Sequence, residues 1–191
     1  MTALKSLIAF VLLTTVALWS SAFSLDRPAV MSATGSIEVA FSPNEGAEAL
    51  IIKVIDSAKT DIRVLAYSFT SAPITSALLS AAKRGVSIVV VADEKNNVGE
   101  DRSGKAKAAL SALTTAKVNV RTISAFAIHH DKVLIVDGVT VQTGSYNYSA
   151  AAASRNSENV IVNWNNRALA KVYIDHFDRN FRLSKPYQLT Y

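Results

Sequence analysis

The chain has 191 residues, a formal net charge of +5 and no cysteine, and half of its residues are hydrophobic. This length and apolar content are sufficient for an ordinary buried core and exclude a disordered or low-complexity protein. The lack of cysteine excludes disulfides, zinc fingers and thiol catalysis, while the positive charge permits a polyanionic partner without identifying one.

The first 24 residues are typical of a secretory signal peptide. Lys5 precedes an apolar run over residues 7–13, and several small residues follow before residue 25. Removal of residues 1–24 takes away one charged residue and leaves a domain over residues 25–191 with a net charge of +4. This interpretation places the domain in the periplasm or outside the cell. A retained membrane anchor is the alternative, because residues 6–25 are uncharged and just long enough to span a bilayer.

Strand and helix patterns alternate through the rest of the chain. Strands are predicted where hydrophobic residues alternate or form a short apolar run, and helices where they recur every three or four residues. Asp137-Gly138 predicts a hairpin turn, and residues 93–104 are expected to form a polar loop. The alternation predicts a single α/β domain with a mixed, largely parallel β-sheet flanked by helices. In chain order the predicted elements are strand 36–41, helix 46–59, strand 61–67, helix 73–83, strand 86–92, helix 105–114, strand 118–123, strands 132–136 and 139–143, strand 159–162 and helix 165–182.

The side chains that best fit a chemical role lie between residues 130 and 158. Two short patterns, H-x-K-x-x-x-x-D and G-S-x-N, occur in succession and are followed by a glutamate. Alternation along a strand places His130 and Lys132 on one face, where both can contact the same small anion. The hydroxyl of Ser145 and the amide of Asn147 can add hydrogen-bond donors. The complete set is His130, Lys132, Asp137, Gly144, Ser145, Asn147 and Glu158.

This set resembles the HKD motif of the phospholipase D superfamily. The chain length, the signal-like start and the single copy of the motif resemble in particular the bacterial Nuc-type endonucleases of that superfamily. The resemblance implies a phospholipase D-like domain that hydrolyses phosphodiesters through a phosphohistidine, with no metal or other cofactor. One histidine attacks phosphorus, and a second histidine from a second motif protonates the leaving oxygen and then activates water.

The resemblance also implies a role for each residue of the motif. His130 is the nucleophile, and Lys132 and Asn147 bind the phosphate oxygens. Ser145 contributes to phosphate binding or to the surrounding hydrogen bonds. Glu158 is expected to orient His130, because a carboxylate can hold one imidazole nitrogen and raise the basicity of the other. The aspartate that ends the first pattern is expected to be structural and to lie outside the phosphate site.

This mechanism needs two histidines in opposite protonation states. An imidazole attacks phosphorus only when it is neutral, whereas the leaving oxygen needs a protonated partner. Because the motif occurs once, a homodimer is expected to bring His130 of each copy to a shared site. DNA is the expected substrate, and RNA is a further candidate. No stable membrane association is expected after signal cleavage.

Three other functions fit parts of the sequence. A phospholipase D or phosphatidyl transferase acting on phospholipids would use the same motif, and a retained anchor would favour it. A non-catalytic nucleic-acid-binding module would have a decayed site, whereas this motif is intact. A metallonuclease would use His129, His130, Asp131 and Glu158, but adjacent histidines on a strand point to opposite faces.

Several other side chains have simpler interpretations. Tyr146 and Tyr148 are expected to pack in the core or an interface rather than to stack on bases. His176 is expected to be solvated on the last predicted helix. The basic residues of that helix and its end form a candidate surface for a nucleic acid, or a solvated face: Arg167, Lys171, Arg179, Arg182 and Lys185.

Overall fold

The computed structural model describes residues 28–189. The predicted signal peptide lies outside the described residues. The strands are β1 (Ser36–Ser42), β2 (Asp61–Ala66), β3 (Ser87–Asp93), β4 (Asn119–Ile123), β5 (Lys132–Val136), β6 (Thr140–Gly144), β7 (Glu158–Trp164) and β8 (Lys185–Pro186). The helices are α1 (Ala47–Ser57), α2 (Ala72–Lys83), α3 (Lys105–Thr115), α4 (Ala150–Ser154) and α5 (Arg167–Leu183).

The strands form one mixed sheet in the order β1-β7-β6-β5-β2-β3-β4-β8. Parallel pairing joins β2 to β3 and β3 to β4. The other neighbouring strands are antiparallel. The predicted mixed sheet is confirmed, but it is not largely parallel, because only β2, β3 and β4 pair in parallel and the other five pairs of neighbouring strands are antiparallel. Among residues 28–189, no helix is both long enough and apolar enough to cross a membrane.

The sheet has an apolar core on each of its faces. On one face, Val64 and Val90 belong to a core that contains buried residues of α1, α2 and α3. On the other face, Leu65 and Val91 pack with Ala170 of α5. Successive side chains of a strand point to opposite faces, so the central strands need apolar residues at almost every position. This arrangement explains why β3 is a nearly continuous apolar run.

The segment between β3 and α3 is more ordered than the predicted polar loop. Residues Lys95–Glu100 form a π-helical turn in which Asn97 is fully buried. The Asn97 amide donates hydrogen bonds to the carbonyl oxygens of Tyr67 and Asp93 and accepts one from the N–H of Phe69. One side chain thus pairs three backbone groups near the ends of β2 and β3. The local charge pattern does not reveal this role, and it also does not predict α4 or β8.

The hairpin between β5 and β6 turns at Asp137 and Gly138, as predicted. The Asp137 carboxylate accepts hydrogen bonds from the backbone N–H groups of Lys59, Thr60 and Asp61, at 3.0, 2.8 and 3.0 Å. The hydroxyl of Thr60 donates a further bond of 2.8 Å. These contacts attach the hairpin to the start of β2, at the end of β5 away from Lys132. Through these contacts Asp137 has a structural role.

We expect the Asp137→Asn variant to lose about 1–3 kcal/mol of unfolding free energy at pH 7, because an anionic acceptor for several donors is removed. Burial alone raises the pKa of Asp137, but the N–H groups of residues 59–61 outweigh it and hold the pKa below its usual value. A carboxylate of this kind stabilises the fold above its unfolded-state pKa of about 4, and the contribution is lost as the pH falls through the lower folded-state pKa.

The difference in stability between wild type and Asp137→Asn should therefore shrink as the pH falls below about 4. Urea unfolding from pH 7 to pH 2 measures this difference. Asp178→Asn, which changes an exposed aspartate of α5, is the control and should leave stability nearly unchanged. A difference between wild type and Asp137→Asn that does not vary with pH would contradict the prediction.

Candidate active site

The candidate residues meet at one edge of the sheet formed by strand ends, where β2 and β6 end and β5 and β7 begin. Lys132 is the first residue of β5 and pairs with Ala66, the last residue of β2. Gly144 ends β6, and Glu158 begins β7 beside it. The strand pairing therefore brings together parts of the motif that are distant in the chain.

His130 lies in the loop that precedes β5, not in the strand itself. The prediction that strand alternation aligns His130 with Lys132 is therefore wrong, because regular pairing begins only at Lys132. Tyr67, which follows β2, positions the loop instead. Its N–H donates a 2.9 Å hydrogen bond to the carbonyl oxygen of Asp131, and its ring centroid lies 4.7 Å from that of the His130 imidazole. The imidazole of His130 remains exposed at the surface.

Lys132 is a buried cation, with only 5% of the residue exposed. Its Nζ donates a 2.8 Å hydrogen bond to the carbonyl oxygen of His130 and lies 5.3 Å from the centroid of the Tyr67 ring. Burial lowers the pKa of Lys132, while the nearby carboxylates of Asp131 and Glu158 act in the opposite direction. The ammonium group thus holds the backbone of His130 and offers positive charge to an anion at the same edge.

The hydroxyl of Ser145 links the ends of β6 and β7. It donates a 2.6 Å hydrogen bond to Oε2 of Glu158 and accepts bonds from the N–H and the amide of Asn159. A hydroxyl has one proton to donate, so Ser145 acts here in the hydrogen-bond network around Glu158. The other Glu158 oxygen accepts from Asn156. Within residues 28–189 of one chain, no hydrogen bond joins Glu158 to His130, so the expected orienting contact is not formed in this arrangement.

Gly144 allows this close contact between β6 and β7. A Cβ atom at this position would lie 2.2 Å from the carbonyl oxygen of Asn159, and the residue has a φ of +153°. A larger residue would both clash with β7 and strain the backbone. The glycine of the G-S-x-N pattern is therefore required for the placement of Ser145 against Asn159.

Asn147 is held between two buried tyrosines. Tyr146 and Tyr148 are fully buried, which confirms that they pack in the core, and the Tyr148 hydroxyl donates a 3.0 Å hydrogen bond to Gln142. The side-chain oxygen of Asn147 is buried and has no hydrogen-bond partner among residues 28–189. An unpaired buried polar group of this kind is expected where a ligand completes the hydrogen bonding. Rotation of the amide plane would offer its NH2 group to a phosphate oxygen.

Hydrogen bonds on both sides of His130 hold its loop in place, and some of them come from α5. Nε2 of His176 lies 2.8 Å from the Asp131 carboxylate, and Arg179 donates a 3.1 Å hydrogen bond to Nδ1 of His176. Because Nδ1 accepts, Nε2 carries the proton that is donated to Asp131. The backbone N–H of His129 donates to the buried carboxylate of Asp93. His176 is only partly solvated, with 32% of its side chain exposed, because Asp131, 45 positions earlier in the chain, supplies a partner for its imidazole.

The donors proposed for a metallonuclease do not converge on one point. His129 is only 3% exposed, whereas the adjacent His130 is exposed. Burial lowers the pKa of His129, although the carboxylates of Asp131 and Asp93 oppose this shift. Among residues 28–189, no group of three or more histidine, aspartate or glutamate side chains is arranged to hold a metal ion.

We expect the His176→Ala variant to lose about tenfold in kcat, because Asp131 loses the partner that fixes the loop next to His130. Since His176 is a positioning residue, His176→Gln should recover much of the activity by donating a hydrogen bond to Asp131. Steady-state kinetics of both variants, with urea unfolding as a check on the fold, measures the effect. Equal activities of wild type and both variants would show that this network does not position His130.

Comparisons with known proteins identify the family of this chain. Residues 51–181 match the family described as "Cardiolipin synthase, PLD-like domain". The chain belongs to the phospholipase D superfamily. The crystal structure of the phospholipase D family member Nuc from Salmonella typhimurium is 43% identical to this chain, with a TM-score of 0.76 over 80% of this chain and 98% of Nuc.

Curated relatives within the superfamily carry names that refer to lipids. A protein named phospholipase D from Rickettsia felis is 37% identical over 141 residues, which are 74% of this chain and 67% of that protein. The mitochondrial cardiolipin hydrolase of Danio rerio is 34% identical over 107 residues, or 56% of this chain and 44% of that protein. The comparisons confirm the phospholipase D-like single domain and identify the chain as a phosphodiester hydrolase of this superfamily.

Proposed function

We propose that this phosphodiester hydrolase is an exported, non-specific endonuclease that cleaves DNA, with RNA as a further substrate, without a metal ion. The observation that carries the proposal is the exposed His130 imidazole beside the buried Lys132 ammonium at an open edge of the sheet. A nucleic-acid backbone can lie across such a surface, and its phosphate meets the cation and the nucleophile together. The net charge of +4 for residues 25–191 and the similarity to Nuc support this substrate class.

The proposed reaction has two displacements at phosphorus. In the first, a ring nitrogen of neutral His130 forms a P–N bond, the P–O bond to the leaving oxygen breaks, and a second, protonated histidine gives that oxygen its proton. In the second, the same second histidine removes a proton from water, which attacks phosphorus and breaks the P–N bond. Lys132 and Asn147 neutralise and hold the non-bridging oxygens in both steps.

The second histidine is proposed to come from another copy of the chain. The chain contains three histidines, but His129 is buried and His176 is hydrogen-bonded to Asp131. Both line the same depression as His130, but burial of His129 and the contact of His176 with Asp131 leave neither imidazole available as the second acid. A two-fold axis near His130 would supply an identical imidazole from the partner copy. The carboxylate of Glu158, which does not reach His130 of its own chain, could then orient the partner's imidazole.

An exposed apolar sheet face supports this homodimer. Ile37, Val39 and Phe41 of β1 are 60%, 50% and 50% exposed, and Ile161 of β7 is 37% exposed. Strand pairing places these side chains on the same face of the sheet as Val141, which belongs to the core that α5 covers. Phe41 pairs with Asn159, the residue that contacts Ser145, so the apolar face ends beside the site. We propose that a second copy covers this face, because exposed apolar patches mark association surfaces.

A mixture of subunits tests whether the site is shared. Wild-type and His130→Ala chains with different tags are unfolded together, refolded and separated to isolate heterodimers. Heterodimers should be nearly inactive if each site needs both imidazoles, whereas half of the wild-type activity would contradict a shared site. Sedimentation of Val39→Asp tests the apolar face separately, since a charge there should give monomers.

Phospholipid hydrolysis is the second candidate function. Two apolar side chains close to His130, Phe126 and Ile128, are 40% and 54% exposed, and such residues can contact lipid. The names of the Rickettsia felis and Danio rerio relatives are compatible with this substrate. We favour nucleic acid because this chain is 43% identical to Nuc and covers 98% of it, and because the domain over residues 25–191 has a positive net charge.

Two parallel assays, each run with and without a metal chelator, distinguish these functions. The first follows nicking of supercoiled plasmid, and the second follows release of headgroup from labelled phosphatidylcholine vesicles. We expect nicking that weakens steeply with salt and no headgroup release. Headgroup release without nicking would identify a lipid enzyme. Plasmid binding without nicking, with or without chelator, would identify a binding module. Nicking that is lost only in chelator would identify a metallonuclease.

A further inference from the structure

The loop that leads to His130 presents two apolar side chains to solvent. Phe126 is 40% exposed and Ile128 is 54% exposed. Neither belongs to the two apolar cores that cover the sheet. Large apolar side chains kept at the surface beside a catalytic group commonly contribute to binding. Both side chains are therefore available to contact a substrate whose phosphodiester lies at His130.

A cation packs against the aromatic ring of this loop. The guanidinium carbon of Arg179 lies 5.9 Å from the centroid of the Phe126 ring. Arg179 also donates one of its N–H groups to His176, which fixes the side chain relative to α5. Phe126, Ile128, His130 and Arg179 line one depression of about 320 Å³, together with His176 and Asp131. The nucleophile, an aromatic ring and an arginine thus share one surface.

We propose that this depression is a subsite for the nucleotide next to the scissile phosphate. The base of that nucleotide stacks on Phe126, and Arg179 neutralises the phosphate that follows it. This inference rests on the proposed nuclease function. Stacking on an aromatic ring accepts any base, so the subsite increases affinity without selecting a sequence, which is the behaviour expected of a non-specific nuclease. An unstacked, single-stranded substrate should use it best, because its bases are accessible.

The lining of the depression favours a nucleotide over an acyl chain. Arg179, His176 and Asp131 stand beside Phe126, and an acyl chain placed there would remove water from these polar groups without replacing their hydrogen bonds. A nucleotide offers an apolar base face to the ring and an anion to the guanidinium. The arginine is suited to this task, since it both pairs with phosphate and stacks on aromatic groups.

Dinucleotide substrates that contain a single phosphodiester test the subsite. Thymidylyl-thymidine is compared with two analogues in which one or the other nucleoside is replaced by an abasic residue. We expect Phe126→Ala to lower kcat/KM for thymidylyl-thymidine by about tenfold. The analogue that lacks the stacked base should already be poor for wild type and should lose little more in the variant. Phe126→Trp should retain activity, and Leu183→Ala, at a residue 51% exposed outside the depression, is the control.

A terminal phosphate tests the role of Arg179. Adding a phosphate to the dinucleotide on the side of the stacked base should raise kcat/KM for wild type and not for Arg179→Gln. The readout is the ratio of kcat/KM with the terminal phosphate to kcat/KM without it, measured on the same protein. This ratio does not change if the variant also weakens the contact with His176. A phosphate effect that is equal in wild type and Arg179→Gln would exclude the proposed anion contact.

Three other results would overturn the subsite. Phe126→Ala could lower activity equally on intact and abasic substrates, which would show that the ring does not bind a base. It could convert the dimer to monomers in sedimentation, which would make Phe126 an interface residue. It could reduce binding to phosphatidylcholine vesicles while leaving dinucleotide cleavage unchanged, which would make the loop a lipid contact. If wild type cleaves neither plasmid nor dinucleotide, the proposed nuclease function itself fails.

Discussion

The His130→Asn variant should lose essentially all hydrolysis, with kcat/KM reduced by about four orders of magnitude or more. The effect is large because the proposed pathway has no P–N bond without this imidazole, and each shared site would lose both its nucleophile and its acid. Asparagine keeps a polar side chain at an exposed position, so the fold should be unaffected. Plasmid nicking and dinucleotide hydrolysis measure the loss.

Substrate binding provides the control for this variant. His130→Asn should still retain labelled oligonucleotide in a gel-shift assay, because Lys132 and Asn147 remain in place. It should also have the same sedimentation coefficient as wild type. Hydrolysis within tenfold of the wild-type rate would show that another group attacks phosphorus and would remove His130 from the centre of the mechanism.

The Lys132→Met variant should lose about 100- to 1,000-fold in kcat/KM while keeping or gaining stability. Lys132 is only 5% exposed as a residue and burial lowers its pKa, so its charged form is costly in the absence of substrate. An apolar side chain of similar length avoids the cost of burying a charge, which offsets the loss of the hydrogen bond to the carbonyl oxygen of His130. Activity and stability should therefore change independently, or in opposite directions.

Kinetics and urea unfolding of the same preparations test this prediction. Lys107→Met, which changes an exposed lysine of α3, should affect neither quantity. Lys132→Arg should remain impaired, because the planar guanidinium cannot occupy the position of a compact ammonium that also holds the carbonyl oxygen of His130. Wild-type activity in Lys132→Met would contradict the role of this cation in neutralising the phosphate.

Local patterns in the sequence were sufficient to predict much of the fold. The periodicity of apolar residues identified the central strands, since a strand such as β3 must be apolar on both faces to lie between two cores. Turn chemistry located the hairpin at Asp137 and Gly138. These features depend on neighbours in the chain, and for that reason a single sequence reveals them.

The surroundings of the candidate site depend on contacts between distant residues and were not predictable in this way. Tyr67 contacts both the imidazole of His130 and the ammonium of Lys132, yet nothing in its own segment marks it. His176 pairs with Asp131 only because α5 crosses the sheet at that point. The pairing of β6 with β7 places the hydroxyl of Ser145 where it donates a hydrogen bond to Glu158. In each case the partner is set by tertiary packing.

The central proposal is that hydrolysis proceeds through a covalent bond between His130 and phosphorus. The stereochemistry at phosphorus tests it directly, with a dinucleotide whose phosphodiester is a chiral phosphorothioate and with water enriched in ¹⁸O. Each in-line displacement inverts the configuration, so attack by His130 followed by attack by water should give a product with overall retention. A product with inverted configuration would mean that water attacks the substrate in a single step and that no phosphohistidine is formed.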